Sequence, residues 1–112
     1  MEKVFITGYG AISPLGLNSN ETWSGLIDGK SGVDYITSFD ASSFETTFAA
    51  EVKNFDPESY VGRKESKRMD RFVQLAACAT LEALDNSGLV INDSTAERIS
   101  VMIASGIGGI IT

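Results

Sequence analysis

From Met69 to Asn86 small and apolar side chains recur at three- and four-residue steps: Met69, Phe72, Val73, Ala76, Ala77, Thr80, Ala83 and Leu84. That spacing is helical, and Ser87-Gly88 supplies a stop. Leu75, Cys78 and Leu81 fall on the flanks of the stripe, so the helix is expected to have protein on more than one side. It is the element to which the rest of the chain must fit.

Just before it runs Arg63-Lys64-Glu65-Ser66-Lys67-Arg68-Met69-Asp70-Arg71, which holds five of the nine Lys and Arg residues in the chain. Cations at a helix N-terminus oppose the positive end of its dipole, so helix formation does not account for them. Two readings stay open: a solvated run of charges with Glu65 and Asp70 as local partners, or a docking patch for an acidic partner.

Composition narrows the class. The chain has 112 residues, 43% of them hydrophobic, and a net charge of −6. An acidic chain with one local basic cluster is not a general nucleic-acid binder. No apolar run reaches membrane-spanning length, and the N-terminus lacks a signal-peptide core, so a cytoplasmic protein without membrane partners is expected. Cys78 is the single cysteine and excludes an internal disulfide. There is no histidine, which removes the commonest general base and metal ligand; no metal site is expected.

Taken in order, Lys3 to Gly8 is expected to be a buried strand leading into Gly8-Tyr9-Gly10. That Gly-x-Gly invites a dinucleotide-binding reading, but Ser13 stands where the third glycine belongs, and Pro14 follows. Ser13-Pro14-Leu15-Gly16 reads as a turn. Asn18, with Glu21 three residues on, caps a short helix to about Asp28, with Trp23 expected as a core anchor beside Leu26 and Ile27. Val33 to Phe39 is expected to be irregular or extended. Phe48, Ala50 and Val52 alternate with Ala49, Glu51 and Lys53 as in a half-exposed strand. Asp56-Pro57-Glu58 opens a single helical turn before Gly62, and Asn92 to Glu97 is turn-like. Ile99 to Ala104 has little polar relief and is expected to be a strand inside a parallel sheet. It leads to Ser105-Gly106-Ile107-Gly108-Gly109-Ile110-Ile111-Thr112. Two or three such strands do not complete a sheet, so the chain is expected to be the opening portion of a longer protein or a piece that needs a partner.

Taken together, Val4-Phe5-Ile6-Thr7-Gly8-Tyr9-Gly10, Ser13-Pro14-Leu15-Gly16, Trp23 and Ser31-Gly32-Val33 resemble the start of β-ketoacyl-[acyl-carrier-protein] synthases. These belong to the condensing-enzyme, thiolase-like family. Lys67-Arg68-Met69-Asp70-Arg71-Phe72 and Ser105-Gly106-Ile107-Gly108-Gly109 look like two further motifs of it, nearest the synthase II type. The resemblance covers essentially the whole chain.

It implies an α/β fold with thiolase-like αβαβα layers, of which residues 1–112 would be an incomplete N-terminal segment. It implies decarboxylative condensation: a cysteine takes an acyl chain from acyl carrier protein, malonyl-carrier protein loses carbon dioxide, and the carbanion attacks the thioester. The family uses a Cys and two His, the Cys at a helix N-terminus where thiolate and oxyanion are favoured. All three are expected beyond Thr112, so no residue of this chain is expected to be catalytic. Ala76-Ala77-Cys78-Ala79-Thr80 superficially resembles the nucleophile motif, but Cys78 sits mid-period in the long helix and reads as a small buried hydrophobe. The resemblance implies no cofactor and a homodimer in the full-length protein. It matches Lys64, Lys67 and Arg68 to positions that meet the acidic carrier protein, and Ile107 to one that borders and gates the acyl pocket. Ile107 also reads as an ordinary core or interface residue. A non-catalytic module that docks a carrier protein or completes another chain is the rival reading.

Overall fold

The computed structural model describes residues 2–109. They fall into two compact units, one from residues 2–10 and 56–109, the other from Ala11–Phe55. The expectations for Ile110, Ile111 and Thr112 lie outside the described residues.

The Ala11–Phe55 unit opens on the Ser13–Gly16 turn, closed by Ser13 N–H to Gly16 O at 2.9 Å and Gly16 N–H to Ser13 O at 3.2 Å. Helix α1 follows, Ser19–Ile27, capped as its sequence suggests: Asn18 Oδ1 accepts from Glu21 N–H at 2.8 Å. The reciprocal bond is shifted by one residue, because the Glu21 carboxylate takes the Leu17 N–H at 2.8 Å rather than that of Asn18. Trp23 corrects an expectation, being 63% exposed, with Leu26 and Ile27 exposed beside it. At 100° per residue Gly25, Thr22 and Glu21 occupy the opposite side of α1, and that side meets the turn. Gly25 is buried against Leu15, and the Thr22 hydroxyl bonds the Ser13 hydroxyl at 2.8 Å.

Strands β1 (Val33–Tyr35) and β2 (Phe48–Ala50) pair antiparallel, with Asp34 opposite Ala49. The alternation read in β2 is present, but the half-sheltered position is Ala49, and Phe48 is exposed. Beyond β2, Lys53 Nζ reaches back to Asp34 Oδ2 at 2.8 Å. Ala41 and Phe55 form the small core of this unit.

In the other unit, α2 (Glu58–Val61) opens where Asp56 Oδ1 accepts the Glu58 N–H at 3.0 Å. Gly62, at φ 79°, separates it from α3 (Arg63–Ser66). Helix α4, Arg71–Ser87, is the long helix foreseen, and Gly88 ends it in the left-handed conformation. Cys78, read as lying on a flank, is its most buried residue. A 3-10 turn, Ala96–Arg98, follows.

Two expected strands are corrected. Neither Lys3–Gly8 nor Ile99–Ala104 is a strand among the described residues. A strand exists only when a neighbour takes its N–H and C=O groups, and among the described residues the one two-stranded ladder is β1–β2. Val4 and Met102 are accordingly 94% and 96% exposed. What the N-terminal segment does make is a close approach to α4. A Cβ on Gly8 would fall on the Ala83 carbonyl oxygen, and one on Gly10 on that of Ala79. Two residues of extended chain advance roughly 6.6 Å and four residues of helix roughly 6 Å, so glycines at i and i+2 match carbonyls at j and j+4. Asn86 Nδ2 donates to Tyr9 O at 2.9 Å between them.

Candidate functional site

The basic segment is not simply the first turn of α4. It forms α3 and a following turn, carried by Lys67 N–H to Arg63 O at 3.4 Å, Arg68 N–H to Glu65 O at 3.0 Å and Met69 N–H to Ser66 O at 3.3 Å. Lys64, Lys67 and Arg68 stand at i, i+3 and i+4, so a helical path puts them on one face. Ser66 falls on the opposite side and is 3% exposed, its hydroxyl donating to Arg63 O at 3.1 Å. All three cations are exposed. Arg68 has only a loose contact with Glu65, at 3.7 Å, of a kind that contributes about 0–1 kcal/mol. Neither Lys64 nor Lys67 is in an ion pair among the described residues. Their charge is available to another molecule.

Sequence reasoning missed Gln74. Its Nε2 donates to Ser66 O at 2.8 Å and to Met69 O at 3.2 Å, tying the basic turn to α4. The available signal was a lone amide among Phe72, Val73, Leu75, Ala76 and Ala77.

Ile107 is 81% exposed. It lies in a turn where Gly108 N–H donates to Ser105 Oγ at 3.0 Å and Gly108 takes φ 78°. That turn sits beside the start of α4: Phe72 lies 3.8 Å from where a Gly108 Cβ would stand, and Gly109 abuts the Asp70 carboxylate. The structure thus brings the cationic face and the Ile107 turn to the same end of one helix.

Cys78 is 1% exposed at the middle of α4, and burial pushes its thiol above its ordinary pKa. A thiolate is disfavoured there, which agrees with a packing role. Gly8-Tyr9-Gly10 does not open a helix, since the chain next makes the Ser13–Gly16 turn and α1 begins at Ser19. The pyrophosphate cradle of a dinucleotide site needs that helix. Among the described residues no group of three or more His, Cys, Asp or Glu could hold a metal ion, and no helix is long and apolar enough to cross a membrane. A cleft of about 380 Å³ lies in the Ala11–Phe55 unit, lined by Tyr35, Phe39, Asp40 and Thr47 among others, and contains none of the residues singled out from the sequence.

Comparison with known proteins decides the family. The pattern described as "Beta-ketoacyl synthase, N-terminal domain" matches residues 1–111. The chain belongs to the β-ketoacyl synthase family. It is similar to 3-oxoacyl-[acyl-carrier-protein] synthase 2 of Synechocystis sp., 46% identical over 109 residues, covering 97% of this chain and 26% of that protein. The proteins of the same name from Staphylococcus aureus and Vibrio harveyi are 46% and 44% identical, over 99% and 96% of this chain and 27% and 26% of theirs. Two solved structures resemble this β-ketoacyl synthase segment. The ishigamide ketosynthase/chain length factor gives a TM-score of 0.69 at 36% identity, covering 76% of this chain and 21% of that one. A β-ketoacyl synthase from Burkholderia phymatum gives 0.67 at 28%, covering 87% and 24%. The fold is therefore that of ketosynthases, and the chain spans about a quarter of the length of the curated relatives it matches.

Proposed function

We propose that residues 1–112 are the N-terminal segment of one condensing-enzyme domain with thiolase-like αβαβα layers, which elongates acyl chains by decarboxylative condensation with malonyl-carrier protein. The observation that carries this reading is the match along residues 1–111. In it, the exposed Val4–Ile6 and Val101–Ile103 stretches are apolar surface covered by the rest of the synthase. The segment supplies no catalytic group of its own, in keeping with the absence of histidine and the burial of Cys78. The complete enzyme works as a cytoplasmic homodimer with acyl- and malonyl-loaded carrier protein, without nucleic acid, membrane or cofactor.

Lys64, Lys67 and Arg68 meet the acidic carrier protein, and Ile107 borders the acyl pocket. Support for the first role is a single exposed face of three cations on a chain of net charge −6. Support for the second is an isoleucine left exposed in a turn against Asp70 and Phe72. Exposed charges of this kind change stability by no more than about 0.5 kcal/mol, whereas they set encounter rate and its salt dependence. In the complete synthase, a Lys67→Glu, Arg68→Glu double substitution is expected to raise KM for carrier-protein substrates, most at low salt, with thermal unfolding nearly unchanged. Equal loss on short acyl-pantetheine substrates, which have no acidic protein surface, would show that the two residues are structural.

A further inference from the structure

We propose that Gln74 is a positioning residue for carrier-protein docking, an inference that rests on the docking role of Lys67 and Arg68. Its Nε2 donates to the carbonyls of Ser66 and Met69, the two residues that bracket those cations. One side chain therefore ties both ends of the short loop on which they stand. Apart from this clamp, the loop is held by the burial of Ser66 and by the backbone bonds of its own turn, none of which reaches α4. Helix α3 is four residues long, too short to persist without tertiary support. Within the turn, Arg68 N–H to Glu65 O is 3.0 Å, Met69 N–H to Ser66 O is 3.3 Å and Lys67 N–H to Arg63 O is 3.4 Å, while the Arg68 side chain meets Glu65 only at 3.7 Å.

Long cationic side chains remain mobile whatever the backbone does, but the point from which they swing is fixed by this clamp. With the clamp intact, docking orders side chains only. Without it, docking must also order the backbone of residues 66–69, and that cost appears in association with the carrier protein. The chemical step is untouched, since Gln74 meets no reacting group. Its effect falls on KM.

The test is steady-state kinetics of the complete synthase with Gln74→Met, which keeps length and removes the donor. On loss of two ordinary hydrogen bonds, KM for acyl-carrier-protein is expected to rise about threefold to tenfold with kcat retained. KM for an acyl-pantetheine substrate should stay at the wild-type value. Should Gln74→Met not fold, Gln74→Asn, which withdraws the amide by one methylene, carries the same expectation. A wild-type KM for carrier protein, or equal losses on both substrates, overturns the proposal. The Lys67→Glu, Arg68→Glu enzyme measured alongside separates the two ideas: if it raises KM and the Gln74 variants do not, the clamp is wrong and docking stands. If it leaves KM unchanged, docking itself fails.

Discussion

Glu51, at the exit of β2, accepts three hydrogen bonds: Thr37 N–H at 3.0 Å, Thr37 Oγ1–H at 2.7 Å and Ser38 N–H at 3.1 Å. These bonds to Ser38 and Thr37 favour the ionised carboxylate and lower its pKa from 4.5 to about 2. Asp34 is lowered in the same direction, chiefly by its hydrogen bond from Lys53. A depressed folded-state pKa means stability that is fully present above the ordinary value and is lost as pH falls through the folded one. The window for Glu51 is therefore pH 4.5 down to about 2. Relative to Glu51→Gln, the wild-type protein should unfold at a higher temperature near neutrality, and that advantage should shrink only inside this window. Thermal melts of both proteins across the acid range check it; an advantage already gone above the window would contradict the bonding pattern.

At the level of elements, α4 is the scaffold on which the N-terminal segment, the basic turn and the Ile107 turn all rest. The N-terminal segment depends on having no side chain at Gly10, because a Cβ there would meet the Ala79 carbonyl, and a helix backbone does not yield. Gly10→Ala is expected to cost about 1–3 kcal/mol, the range for overpacking, read from denaturant unfolding; an unchanged midpoint would show that the close approach is absent. Much of this level was legible beforehand. The 3.6-residue period and Ser87-Gly88 announced α4, and Asn18 with Glu21 announced α1, because caps and periodicity are local. The extended segments were not, because Val4-Phe5-Ile6 and Ile99–Ala104 carry strand composition, but a strand also needs a paired neighbour, and none among the described residues pairs with them. Trp23 misled for a related reason: the apolar face of α1 was visible, but not that Gly25 and Thr22 would meet the turn instead. In the candidate site, Lys64, Lys67 and Arg68 could be named from residue type, spacing and family resemblance. Gln74 could not, since its role comes from carbonyls five and eight residues away.

For the whole molecule, the decisive fact is that a family match running through residues 1–111 covers about a quarter of each curated relative. Large apolar side chains stand exposed in both units, among them Phe5, Ile6, Trp23, Tyr35 and Val101. In the proposed synthase these surfaces are interior, and the chemistry belongs to residues outside this segment. The most direct measurement is carbon dioxide release from malonyl-carrier protein together with the mass of the acyl product, for the complete synthase carrying this chain and for the 112-residue chain alone. The complete protein is predicted to release carbon dioxide and lengthen the acyl chain by one two-carbon unit, and the segment alone to do neither. Lengthening by the segment above the level of a Cys78→Ser control, or none by the complete protein, would contradict the account.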